Sequence, residues 1–182
     1  MPTSGPALPD TIETERLLLR RFRPEDAIAF HAILGEPQAM MYWSTPPHRE
    51  FAETEKWVRS TIEAVEAGEA DDFVALYRGT IIGKAGLWHG NEIGMIFAPG
   101  SWGQGFAGEA VRAIIARAKA RGMATIRADV DPRNERSLRL LTRLGFAETG
   151  RAKATLQVGS DWVDSVYLEL DLGAGPPDPQ AR

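Results

Sequence analysis

Residues 92–110 read Glu92-Ile-Gly-Met-Ile-Phe-Ala-Pro-Gly-Ser-Trp-Gly-Gln-Gly-Phe-Ala-Gly-Glu-Ala110, with four glycines in the nine residues from Gly100 to Gly108. The run before the glycines, 92–97, reads as a strand. The run after them, 105–121, is Ala-rich and places Val111, Ile114, Ile115 and Ala118 on one helical face. A strand that passes through glycines into a helix brings free N–H groups and the positive end of the helix dipole to one spot, which suits an anion. The loop contains no lysine, so backbone dipoles are expected to hold that anion. A flexible connection without a ligand is the alternative reading of the loop taken alone.

The segments on either side limit the architecture. Upstream, residues 16–22 form a short apolar run ended by Pro24, read as a strand. Pro24-Glu-Asp then opens a helix to about Leu34. Residues 51–67 carry Phe51, Val58, Ile62 and Val65 at helical spacing, stopped by Gly68. Strands are expected over about 72–78, 80–88 and 92–97, with turns at Arg78-Gly79 and Gly90-Asn91. Downstream come a strand at 124–130, a short helix from Ser137 to Leu144, and strands at about 146–157 and 162–171 around Gly159-Ser-Asp161. Antiparallel strands followed by a single strand–loop–helix–strand crossover predict an α/β (α+β) protein with a mixed, mostly antiparallel sheet and flanking helices. Residues 1–10 and 173–182 are rich in proline and glycine and read as flexible tails, leaving one domain over 11–172.

Composition removes several chemistries. None of the 182 residues is cysteine, so there is no disulfide framework, no thiolate nucleophile and no Cys-ligated metal. His31, His48 and His89 are scattered, and no metal site is expected from them. A net charge of -4 argues against a nucleic-acid partner. No apolar run reaches the roughly 18 residues of a membrane span, and the first residues lack the pattern of a signal peptide. The expectation is a cytoplasmic protein, monomer or homodimer, with neither a nucleic-acid nor a membrane partner.

Two ligands compete for the glycine loop. Gly103-Gln-Gly105-Phe-Ala-Gly108 matches the dinucleotide fingerprint G-x-G-x-x-G, and Asp129 lies 21 residues beyond Gly108. That fingerprint needs its first glycine hard against a strand in a parallel βαβ unit. Here Ala98 to Trp102 intervene and too little chain follows for a nicotinamide-binding sheet. The second reading spans more of the chain. Trp102-Gly-Gln-Gly-Phe-Ala107 resembles the pyrophosphate-binding signature of the GNAT superfamily of acyl-CoA N-acyltransferases, R/Q-x-x-G-x-G/A, with Trp102 in place of the usual Arg or Gln. The stretch from Asn134 through Ser137 to Gly145-Phe146 resembles the second block of that family. Thr14-Glu-Arg16-Leu-Leu-Leu-Arg20 and Asp161-Trp-Val-Asp164-Ser-Val-Tyr-Leu are similar to the RimJ/RimL-type branch of ribosomal-protein N-terminal acetyltransferases and related small-molecule enzymes.

The resemblance implies acetyl-CoA as cosubstrate and an amine as acceptor. The main chain of Met95, Ile96 and Phe97 would run beside the pantetheine arm, with Met95 and Phe97 pairing to it in a gap beside the 124–130 strand. Trp102, Gly103, Gln104, Gly105, Phe106, Ala107 and Gly108 would form the pyrophosphate loop, and Asn134 would bond the arm. The alternative role of Asn134 is a helix cap. Glu92 resembles an acid often found at this place and is the expected general base, the alternative being a solvated strand-end carboxylate. Glu109, in the first turn of its helix, reads chiefly as structural. Many relatives carry a Tyr acid seven residues after the Asn. Here that position is Leu141, which leaves Ser137 as the expected acid and Tyr167, read as a buried strand residue, as a remoter one. Tyr42, Trp43, Trp57 and Trp88 read mainly as packing, with the 44–48 loop bordering the acceptor entrance. The acceptor must lose a proton before it attacks the thioester. For a lysine that costs roughly 4.6 kcal/mol at pH 7, and for an α-amine roughly 1 kcal/mol. The chemistry expected is therefore direct transfer to a protein N-terminal α-amine. Alternatives are a small amine as acceptor, or an acyl-CoA-binding relative with little turnover.

Overall fold

The computed structural model describes residues 8–173. Most of the two expected tails, 1–10 and 173–182, lies outside them. Eight strands make one sheet: β1 (Thr11–Glu13), β2 (Leu17–Arg20), β3 (Ala70–Tyr77), β4 (Thr80–Trp88), β5 (Glu92–Phe97), β6 (Thr125–Val130), β7 (Ala147–Val158) and β8 (Asp161–Asp171). Their spatial order is β1-β2-β3-β4-β5-β6-β8-β7. Every neighbouring pair is antiparallel except β5 and β6, which are parallel. The helices are α1 (Ala27–Leu34), α2 (Pro37–Met40), α3 (Phe51–Glu66), α4 (Phe106–Ala120) and α5 (Glu135–Arg143).

The strand period of two sorts side chains between two cores. On one face, Phe73, Ala75, Ala85, Leu87, Ile93 and Phe97 meet Phe106, Ala110, Val111 and Ile114 of α4, and the same core runs on through Ile126, Ala128 and Val130 of β6. On the other face, Val74 and Ile96 pack with Phe30, Ile33, Leu34 and Val58 of α1 and α3. That second helical layer covers only half of its face. On β6 the intervening Arg127 and Asp129 are exposed. The sheet is thus covered by α4 on one side and left open on the other beyond β5.

The mixed, mostly antiparallel sheet agrees with the sequence reading, and several boundaries differ. β1 was not expected; Thr11–Glu13 has no apolar alternation and becomes a strand by pairing with Leu18–Arg20. The strand expected at 16–22 is confined to Leu17–Arg20. The helix expected from Pro24 begins as a 3-10 turn, Pro24–Asp26, in which Asp26 accepts from the Arg23 amide at 2.8 Å and takes the Arg20 guanidinium at 2.7 Å. The four-residue α2, started by Pro37, also went unread. Between β4 and β5 the left-handed residues are His89 and Gly90, one step earlier than the expected Gly90-Asn91.

Candidate active site

The site opens where β5 and β6 part. They pair at a single position, Glu92 opposite Arg127, where the Arg127 amide donates to the Asn91 carbonyl at 2.9 Å. β6 remains paired with β8 from Thr125 to Val130, so it is β5 that has no neighbour beyond Glu92. The Ala98 amide donates to Ile82 on β4 at 2.8 Å. Antiparallel alternation from that bond turns the even-numbered residues of β5 toward β4 and the N–H and C=O of Met95 and Phe97 toward the gap. The Phe97 carbonyl already accepts a 2.8 Å bond from the Trp102 indole. Both groups of Met95 and the Phe97 amide are left to face the gap.

The glycine loop sits on the α4 face at the mouth of this gap. Gly105 caps α4 with φ +83°, and Gly103 has φ +75°. A side chain is strained at both, and at Gly105 a Cβ would also lie 3.3 Å from the Arg16 guanidinium. The first helical bond runs from the Glu109 amide to the Gly105 carbonyl at 3.0 Å. The amides of Phe106, Ala107 and Gly108 therefore have no acceptor within the helix, and residues 103–105 are exposed. These free donors stand where the sequence reading expects an anion.

Two guanidinium groups also stand at the loop, which the sequence reading did not place there. The Arg16 guanidinium donates to the Gln104 carbonyl at 2.8 Å and lies over the Phe106 ring at 4.5 Å. Arg136 of α5 lies over Trp102 at 4.9 Å. Trp102, at the place of the usual Arg or Gln, thus seats a guanidinium brought from another helix. Glu109 has the structural role read for it. Its carboxylate accepts from the Thr14 hydroxyl at 2.6 Å and from the Arg16 amide and Nε at 2.7 Å each. Burial alone would push its carboxyl up, but the bonds from Thr14 and Arg16 outweigh it and hold the group below its ordinary range.

On α5 the Asn134 side chain accepts from the Ser137 amide at 3.1 Å, so it caps the helix. This starts the helix at Glu135, two residues before the expected Ser137, and leaves the Asn134 Nδ2 free for a ligand. Ser137 is half-buried, and its hydroxyl has no hydrogen-bond partner among the described residues. Leu141 is buried in the core shared with α4. At the position where the family resemblance implies a Tyr, this chain has packing.

Glu92 lies on the opposite, open face. Its carboxylate is exposed and shares that face with Trp88, its partner across β4. Beside it is a buried set: Asp72 accepts at 2.8 Å from both the Lys84 ammonium and the Trp88 indole, and Trp43 lies 5.4 Å above that ammonium. Tyr167 is half-exposed rather than buried, and pairs across β6 with Asp129 on this face. Trp57 packs against Phe22 and Phe30, as read. No hydrogen bond joins Glu92 to Ser137, which stand on different elements.

This arrangement has known counterparts. The sequence profile of the acetyltransferase (GNAT) domain matches residues 16–147, so the chain belongs to the GNAT acetyltransferase family. Among its relatives, an N-acetyltransferase designated p20 from Bacillus licheniformis is 29% identical over 150 residues, covering 78% of this chain and 84% of that one. A GNAT-family acetyltransferase structure from Bacillus anthracis superposes with TM-score 0.78 at 25% identity, covering 89% of this chain and 98% of that one. At lower identity the likeness is one of fold. RimL, the ribosomal L7/L12 α-N-protein acetyltransferase solved with coenzyme A, has TM-score 0.80 at 19% identity, covering 88% and 97%. The Vibrio cholerae spermidine N-acetyltransferase, solved with CoA and spermine, has TM-score 0.75 at 21% identity, covering 86% and 96%.

Proposed function

We propose that this chain moves an acetyl group from acetyl-CoA directly to a primary amine, and that the acceptor is a protein N-terminal α-amine met in the cytoplasm. The observation that carries the reading is the parting of β5 from β6, with free helix-start amides on the α4 face and an uncovered face opposite. Cosubstrate and acceptor can then meet from opposite sides of one sheet. Met95 and Phe97 hold the arm through their gap-facing main chain, the amides of residues 103–108 hold the pyrophosphate, and the Asn134 Nδ2 is positioned to donate to the arm. Acetyl-CoA supplies an acetyl thioester whose carbonyl carbon accepts the amine lone pair. As the C–N bond forms and the C–S bond breaks, Glu92 takes the proton shed by the amine, directly or through water. The Ser137 hydroxyl is the protein donor that can hydrogen-bond the departing thiolate, which with a thiol pKa near 8.5 leaves without full proton transfer and takes its proton from water. Glu92 is exposed and shares no hydrogen bond among the described residues. An α-amine needs roughly 1 kcal/mol to lose its proton at pH 7, far less than a lysine, so a weak base acting directly or through water suffices.

A small amine is the second reading. It is supported by the likeness in fold to the spermidine enzyme as well as to RimL. Thiol release from acetyl-CoA, measured with a panel of N-terminal peptides, spermidine and amino-acid amides, separates the two. Turnover with peptides free at the α-amine, and none with N-blocked lysine peptides or polyamines, is expected. Preference for the polyamine replaces the acceptor assignment, and cofactor binding without thiol release from any amine replaces catalysis with binding.

A further inference from the structure

We propose that Arg136 and Arg112 read the third phosphate of the cosubstrate, the one on the ribose 3′ position, and so distinguish acetyl-CoA from its 3′-dephospho form. The inference rests on acetyl-CoA being the ligand of the glycine loop. Coenzyme A carries a pyrophosphate and a separate 3′-phosphate. The donors from Gly103 to Gly108 form one compact cradle, enough for the pyrophosphate. The second anion needs a second group of donors near by.

Two arginines border the cradle. Arg136 lies over Trp102, the residue that enters the loop, at 4.9 Å from its ring centre. The indole is itself fixed by its 2.8 Å bond to the Phe97 carbonyl, so the guanidinium rests on an anchored platform. On α4, an Arg112 terminal nitrogen lies 3.7 Å from where a Cβ would stand on Gly108. Both arginines are exposed, and neither makes a salt bridge or a side-chain hydrogen bond among the described residues. Other arginines near by are committed: Arg16 to Glu109 and the Gln104 carbonyl, Arg117 to Asp71, and Arg139 to Glu135. A guanidinium offers a planar pair of donors to a phosphate, and stacking on an aromatic face limits the freedom it loses on binding.

The measurement is the ratio of dissociation constants for 3′-dephospho-CoA and CoA, by calorimetry on the full chain. A ratio of about tenfold or more is expected, the size of a charge-assisted hydrogen bond. In Arg112→Met/Arg136→Met it should fall toward one, mostly through weaker CoA binding, while Arg143→Met, at the far end of α5, should retain it. The single variants show how the two share the contact. A ratio near one in the parent chain, or one that survives the double substitution, overturns the proposal and leaves acetyl-CoA binding intact. If neither CoA form binds the parent chain, it is the reading of the loop itself that falls.

Discussion

Glu92 and Glu109 lie at the two ends of the glycine segment, and their surroundings differ sharply. Glu109 is buried and accepts three hydrogen bonds at 2.6–2.7 Å. A carboxylate held this way is a poor proton acceptor, because protonation would break bonds made to the charged form. Glu92 has no such partners and faces the open side. Glu92→Gln should lower the transfer rate to an α-amine roughly tenfold to a hundredfold and flatten the acidic limb of the pH–rate profile. CoA affinity should stay unchanged, as calorimetry would show. A profile that keeps its shape removes Glu92 as the base. At this scale the sequence was informative where a residue acts through its own backbone or its own position: Gly103, Gly105 and Asn134 could all be picked out. It was silent on Arg16 and Arg136. Their partners Gln104 and Trp102 are distant in the chain, and no local pattern marks an arginine that will stack across the fold.

Among the elements, α4 meets α5 beside the glycine loop. A Cβ on Gly108 would come within 3.2 Å of the Leu140 side chain, so the missing side chain sets how closely the helices approach. Gly108→Val should push α5 outward, cost about 1–3 kcal/mol as an overpacked contact, and raise the KM for acetyl-CoA. Adding Leu140→Ala should recover part of both, read by melting temperature and steady-state kinetics. No recovery would mean that the contact does not set the spacing. The β3–β5 meander, α3, α4 and β6 were readable because period and turn residues agree there. The start of α5 was misread because Asn134, taken first for a ligand contact, also caps the helix. β1 and α2 escaped because three and four residues hold no period; pairing with β2 and the start at Pro37 define them.

Across the whole molecule, buried ion pairs link the layers and set the response to pH. Asp71 on β3 is reached by Arg21 following β2 at 2.8 Å, by Arg117 of α4 at 2.8 Å and by Arg121 just beyond α4 at 2.9 Å. Burial would raise its carboxyl, but Arg117 and Arg21 prevail and hold it low. Asp131 behaves likewise beside Arg133. Carboxyls depressed by folding stabilise the protein fully above their ordinary values, near pH 4, and that stabilisation is lost as pH falls through their folded values. His48 acts at higher pH. It is held below its ordinary value chiefly by burial, where its Nδ1 meets the Thr54 hydroxyl that also bonds His31. Below about pH 6.5 the unfolded chain takes up this proton more readily than the folded one, so stability declines as pH drops toward the folded value. Melting temperature should therefore fall in two stages on acidification, and His48→Asn should remove the upper one. A melting temperature that is flat from pH 7 to 5 in the parent chain contradicts this account.

The outer borders of the sheet are guarded in ordinary ways. β1 is three residues long, and β7 is broken by irregular register at two places. The unguarded border is internal, along Met95 to Phe97. Adjacent strands stand about 4.8 Å apart, so one added chain has room only if its neighbours stand roughly twice that distance apart. The eight strands thus include one internal edge with unpaired hydrogen-bonding groups, and a partner for it must be thin, extended and supplied with amide groups of its own.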